Sequence, residues 1–161
     1  MTSNLANKNV VLGVTGGVAA YKAAEITREL TKLRANVQVV MTDAAKEFIT
    51  PLSFQSLSGR PTRDTLFDPI AESGMSHIEL GKWADIIIVA PASANFMAQL
   101  TAGMAPDLLT TLCLVTNAVI YIAPSMNQAM WHNSATQSNL HKLIERDIKI
   151  LGPGSGEQAC G

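Results

Sequence analysis

Apolar positions along the chain switch repeatedly between two periods. Val10 to Val14 is an unbroken apolar run, the pattern of a strand buried on both faces. Thr15-Gly16-Gly17 interrupts it. Ala19, Ala23, Ile26, Leu30 and Leu33 follow at helical spacing, with Lys22, Glu25, Arg28, Glu29 and Lys32 on the opposite side. Val37 to Met41 reads as a second strand, Ala44 to Phe48 as the start of a helix, and Pro51 as the first turn of another. Gly59 to Gly74 is the least regular stretch and holds at most a short strand near Thr65 to Phe67. Asp85 to Ala90 is the clearest strand, with Pro91 as its expected end. Asn95 to Thr101 and Asp107 to Leu114 read as helices, and Val119 to Ala123 as a strand ended by Pro124. Ser134 is a candidate cap for a helix reaching about Arg146, and Ile148 to Leu151 is the last strand. Gly152 to Gly156 is flexible by composition.

Strands alternating with helices predict an α/β fold: a doubly wound parallel sheet with helices on both faces, formed as one domain over residues 1–161. Such sheets bind ligands beyond the carboxyl ends of their strands. The unusual segments all follow strands. They are Thr15 to Val18, Thr42 to Ala44, Pro91 to Asn95, Pro124 to Asn127, and the stretch from Gly152 to Cys160. One sheet edge should therefore carry a backbone-lined site.

Composition narrows the choice of ligand. Apolar residues are 47% and charged residues 16% of the 161, which excludes a disordered chain. Twelve Lys and Arg against 13 Asp and Glu leave a net charge of -1, so no basic field awaits nucleic acid or anionic lipid. The mean hydropathy of +0.18 suggests that some apolar surface meets other subunits. Cys113 and Cys160 make no disulfide framework, and with no leader-like N-terminus they suit a reducing, cytoplasmic compartment. The longest apolar run, Ile86 to Ala92, is too short to span a bilayer.

Candidate chemistry lies in the strand-end segments, and each residue has a plainer alternative. Gly16-Gly17 between strand and helix can hold a phosphate on backbone N–H groups, or can be a tight turn. It is neither G-x-G-x-x-G nor a P-loop, which disfavours NAD and ATP. Thr42 could add a hydroxyl to the same phosphate or cap a helix. Ser93-Ala94-Asn95 suits the polar edge of a flat ring, or an N-cap. His77 has the side chain best suited to proton transfer near neutral pH, although alone it reads as a loop histidine. His132 and His141 read as surface residues. No histidine pair has metal-ligand spacing, and the two cysteines lie 47 residues apart, so no metal is expected. Asn127, among Pro124, Met126, Met130 and Trp131, can fix a carboxylate. Cys160 can be a proton donor or a plain thiol, and Cys113 reads as a buried apolar residue.

Taken together, five segments resemble a known family. They are Gly13-Val14-Thr15-Gly16-Gly17-Val18-Ala19-Ala20-Tyr21-Lys22, then His77-Ile78-Glu79-Leu80 with Trp83-Ala84-Asp85, then Ala90-Pro91-Ala92-Ser93-Ala94-Asn95, then Pro124-Ser125-Met126-Asn127-Gln128-Ala129-Met130-Trp131, and Gly154-Ser155-Gly156-Glu157-Gln158-Ala159-Cys160-Gly161. This set resembles the flavin-dependent cysteine decarboxylases, and within them the branch that serves coenzyme A biosynthesis. The resemblance implies a Rossmann-like flavoprotein fold and FMN held between subunits of a homotrimer, with trimers assembling into a dodecamer. It implies a phosphorylated cysteine conjugate as substrate, and a ligase domain fused after a flap that runs on beyond Gly161. Gly16, Gly17, Val18, Thr42, Asp43 and Ala44 would contact the FMN phosphate and ribityl chain. Ser93, Ala94, Asn95, Phe96 and Ser125 would lie beside the ring; at Ser125 the family pattern usually has Ala. His77 would be the catalytic histidine, as base or thiolate stabiliser. Asn127 would bind the substrate carboxylate with Met130 nearby, and Cys160 would donate a late proton. Transient oxidation of the cysteine thiol to a thioaldehyde would supply the electron sink that loss of CO₂ needs. A peptidyl-cysteine decarboxylase and a non-catalytic flavin-binding regulatory subunit are the alternatives that share the fold.

Overall fold

The computed structural model describes residues 4–153. Five parallel strands form one sheet in the order β2-β1-β3-β4-β5: β1 (Asn9–Val14), β2 (Asn36–Met41), β3 (Ile86–Ala92), β4 (Val119–Pro124) and β5 (Lys149–Ile150). This is the doubly wound α/β fold expected from the alternating periods. The strand order reverses between β1 and β3, and the crevice beyond their carboxyl ends is where such sheets bind ligands.

Side-chain alternation explains why both faces are covered. On β1, Val10, Leu12 and Val14 enter one core with Val37, Val39 and Met41 of β2. Val11 and Val40 point the other way, into a second core with Ile87 and Val89. Helix α1 (Ala20–Lys32) and helix α2 (Pro51–Ser58) close the first core through Ala20, Ala23, Leu30 and Phe54. Helices α4 (His77–Trp83), α5 (Ala94–Ala102), α6 (Leu108–Val115) and α8 (Ser134–Glu145) close the second through Leu80, Phe96, Leu109, Leu112 and Leu143. Strands buried on two faces read as continuous apolar runs, which is why β1 and β3 were legible.

Several boundaries differ from expectation. β3 continues through Pro91 to Ala92, and β4 includes Pro124; the ladder between them shifts register between Val89 and Ala92, which accommodates the proline without a ladder N–H. Thr65 to Phe67 is not a strand; instead Arg63 makes one isolated parallel bridge to Val40. Two short helices occupy ground with no predicted element, α3 (Pro69–Gly74) and α7 (Gln128–His132), and His77 opens a helix rather than lying in a loop. Asn133, not Ser134, caps α8: its Oδ1 accepts from Ala135 N at 2.8 Å. Asp107 caps α6 in a reciprocal pair with Thr110. Among the described residues Phe67 and Ile70, at 87% and 85% exposed, are the most uncovered large apolar side chains.

Candidate active site

The ends of β1 and β3 are tied to each other before any ligand is considered. Buried Thr15 donates its hydroxyl to Pro91 O at 2.6 Å and accepts from Ser93 N at 3.0 Å. Ser93 Oγ in turn accepts from Phe96 N at 3.1 Å, capping α5. Ser125 N donates to Ala92 O, which holds the end of β4 alongside. Thr15, Ser93 and Ser125 thus sit on three adjacent strand ends. The Phe96 side chain lies in the core, so only its backbone faces the strand ends. Asn95 is exposed one position on from Ala94.

Gly16 stands where a side chain has no room. A Cβ there would come within 2.5 Å of Ala44 Cβ and 3.1 Å of the Ala44 carbonyl carbon. The loop after β1 and the short 3₁₀ turn Ala44–Glu47 therefore meet in direct contact. Thr42 N donates to Val14 O at 3.1 Å, and Thr42 Oγ1 accepts from Ala45 N at 3.3 Å, acting from the position before Asp43, the residue that begins that turn. Helix α1 has no side-chain cap, and among the described residues the N–H groups of Gly16, Gly17 and Val18 have no hydrogen-bond partner. Unpaired N–H groups at the start of a 13-residue helix make an anion site. Asp43 does not spoil it, because Lys46 Nζ lies 3.2 Å from Asp43 Oδ1 and 3.2 Å from Asp64 Oδ2. The hydrogen bond that Lys46 donates to Asp64, opposed by desolvation and joined by Asp43, holds the Lys46 ammonium above its ordinary value. The N–H groups of Gly16, Gly17 and Val18 and the Thr42 hydroxyl can hold a phosphate, and Ser93, Asn95 and Ser125 supply polar groups at the neighbouring strand ends.

His77 and Asn127 each open a short helix. His77 is the first residue of α4, whose cap Ser76 accepts from Glu79 N at 3.1 Å. Its Nδ1 lies 3.1 Å from Glu72 Oε1, and its backbone N–H donates to the same oxygen at 3.0 Å. Glu72 Oε1 also accepts from Arg63 Nη2 at 3.1 Å. Burial raises the Glu72 carboxyl, but the bonds from His77 and the charges of His77 and Arg63 outweigh it and hold the group below its ordinary value. Arg63 and Glu72 are the residues sequence reading missed. Asn127 caps α7, its Oδ1 accepting from Ala129 N at 2.8 Å, and among the described residues its Nδ2 has no partner. That free amide can donate to a carboxylate. Met130 is exposed on the same short helix. Cys113 is buried, its thiol pushed up to about 12 by desolvation and then by Asp107, so it is inert as a nucleophile. His132 and His141 are exposed, as expected. Cys160 lies outside the described residues.

An uncapped helix start beside the switch point of a parallel sheet is an arrangement shared by nucleotide- and flavin-binding proteins. The chain belongs to the flavoprotein family, whose model matches residues 1–161. Among curated proteins it is similar to the "Coenzyme A biosynthesis bifunctional protein CoaBC" of Vibrio cholerae, at 59% identity over 158 residues, covering 98% of this chain and 40% of that protein. Among solved structures it is similar to the FMN-dependent cysteine decarboxylase SpaF, with a TM-score of 0.87 and 32% identity over 94% of this chain and 87% of that one. It is also similar to a PPC decarboxylase mutant complexed with pantothenoylaminoethenethiol, with a TM-score of 0.80 and 28% identity over 96% of this chain and 87% of that one. The chain spans about 40% of the length of the curated relatives it matches.

Proposed function

We propose that this chain is an FMN-binding decarboxylase domain, that of a phosphopantothenoylcysteine decarboxylase, which converts phosphopantothenoylcysteine to phosphopantetheine in coenzyme A biosynthesis. The observation that carries the reading is the 59% identity to CoaBC over 158 residues, 98% of the chain. Bound FMN supplies reversible two-electron oxidation, which turns the unreactive cysteine carboxylate into one that can lose CO₂. The chain's own residues then have separable tasks. The N–H groups of Gly16, Gly17 and Val18 hold the cofactor phosphate with Thr42, and Asp43 and Ala44 line the loop beside it. Ser93, Ala94, Asn95, Phe96 backbone and Ser125 border the ring. His77 takes the proton of the substrate thiol. Asn127 Nδ2 holds the carboxylate and Met130 packs on the conjugate. Cys160 returns the last proton.

We assign a homotrimer, built into a dodecamer, with FMN between subunits. The exposed Phe67 and Ile70 support an apolar contact between copies. A fused phosphopantothenate-cysteine ligase domain is consistent with the share of CoaBC that the chain spans. Among the described residues no helix is long and apolar enough to cross a membrane, which agrees with a cytoplasmic enzyme.

The test is direct. The protein is purified, its visible spectrum recorded for bound flavin, and the FMN-loaded chain mixed with phosphopantothenoylcysteine under mass spectrometry. Loss of CO₂ from the conjugate is expected. The similarity to SpaF gives a second arm, a peptide with a C-terminal cysteine. Decarboxylation of that peptide alone would move the chain to the peptidyl-cysteine class. Bound FMN with turnover of neither compound would make it a flavin-binding regulatory subunit.

A further inference from the structure

We infer that Glu72 is a positioning residue: it fixes His77 as the Nδ1–H tautomer and leaves Nε2 bare to accept the substrate proton. The inference rests on the reading of His77 given above. One carboxylate oxygen, Glu72 Oε1, meets three N–H groups: His77 Nδ1 at 3.1 Å, His77 backbone N at 3.0 Å and Arg63 Nη2 at 3.1 Å. An ionised carboxylate only accepts hydrogen bonds. The proton of a neutral His77 therefore sits on Nδ1, and Nε2 keeps its lone pair. The second bond, from the His77 backbone, fixes the start of α4 to the same oxygen and restricts the ring's rotation about it.

The brace behind Glu72 is unusually firm for a surface carboxylate. The Arg63 side chain is only 8% exposed. Its Nη1 donates to Met75 O at 2.5 Å, while its backbone N donates to Val39 O and its backbone O accepts from Met41 N. Arg63 thereby joins the edge of β2 to the turn between α3 and α4. Its guanidinium holds Glu72 ionised at the place where His77 needs an acceptor. His77 itself is 31% exposed, and among the described residues the Glu72 carboxylate is the one hydrogen-bond partner of its ring.

The test uses the FMN-loaded 161-residue chain with Glu72→Ala, Glu72→Met and His77→Asn. Long-range nitrogen–proton NMR spectra report each histidine's tautomer, and His77→Asn identifies which of the three signals belongs to His77. In the wild type His77 is expected as Nδ1–H. In Glu72→Ala it shifts toward Nε2–H, and kcat falls by roughly 10–100-fold with KM and flavin content unchanged, the scale for losing a partner that orients a functional histidine. Across the set, kcat should follow the Nδ1–H fraction. If Glu72→Ala fails to fold, Glu72→Met, which keeps the side-chain length and offers no oxygen acceptor, decides on the same two readouts. An unchanged tautomer in the substituted proteins, or a changed tautomer with wild-type kcat, overturns the inference. Wild-type turnover by His77→Asn would instead overturn the catalytic reading of His77, while the NMR result still judges Glu72 separately.

Discussion

On the Gly16 side of the site, position is set by backbone and by the absence of atoms; on the His77 side it is set by side chains. Gly16 touches Ala44 because neither carries more than a methyl group, and Thr15, buried at the junction, binds β1 to β3 through backbone partners. His77 is held by a carboxylate on a different helix, which is held by a guanidinium on a different segment. The first arrangement is part of the fold and cannot be altered without disturbing it. The second is mounted on short helices at the rim, where the chemistry can change while the sheet stays intact. A cofactor that never leaves suits the first; groups that must meet a substrate suit the second.

Substitutions on the two sides should therefore fail in different ways. The largest effect is expected at the rim without loss of stability. Asn127→Asp keeps the helix cap, since aspartate accepts from Ala129 N as asparagine does, but it replaces the amide donor with a negative charge facing the carboxylate that we propose Asn127 binds. Turnover should vanish while flavin content and melting temperature stay at wild type; turnover with both intact would remove the carboxylate from Asn127.

Next comes Gly16→Ala, which forces a Cβ into Ala44. Destabilisation by roughly 1–3 kcal/mol is expected from overpacking, with a colourless purified protein. Gly17→Ala is the matched control, because a Cβ there meets nothing nearer than Pro91 Cγ at 3.9 Å. Urea unfolding and the visible spectrum read both, and equal behaviour of the two variants would break the contrast.

Thr15→Val removes the hydroxyl that serves Pro91 O and Ser93 N, and should cost about 1–3 kcal/mol in the same unfolding assay. Flavin binding should weaken with it, because Ser93 loses its anchor. Stability unchanged by this substitution would deny the tie between β1 and β3.

The smallest effect concerns acid stability. Glu72 in the folded chain lies below its ordinary value of 4.5, so folding favours its ionised form. That contribution is complete above 4.5 and is lost as pH falls below it through the depressed folded value. The stability difference between wild type and Glu72→Gln should therefore shrink as thermal unfolding is repeated at decreasing pH. A difference that grows on acidification would contradict the charge assignment.

The same contrast explains what sequence alone could tell. β1, β2 and β3 were legible because burial on both faces leaves unbroken apolar runs, and the strand-end segments followed from the topology. Ser93 as a cap and Cys113 as a buried thiol were also legible, being local. Arg63 and Glu72 were not. They lie in the irregular stretch from Gly59 to Gly74, where no period marks a face. Glu72 is five residues before His77, a spacing that matches neither a helix face nor a strand face, and they meet only because the chain turns at Met75 and Ser76. The continuation of β3 through Pro91 was hidden for a related reason. Proline normally ends a strand, and only the register shift against β4 makes room for it.

The bridge at Arg63 has one more effect, on how copies of this molecule can meet. It occupies the outer hydrogen-bonding rim of β2 at Val39 and Met41. At the opposite border, β5 is only two residues long. Among the described residues, each margin is thereby shortened as a template for a foreign strand. Helical and loop surfaces, such as the one that exposes Phe67 and Ile70, are then better suited than strand addition for contacts between copies.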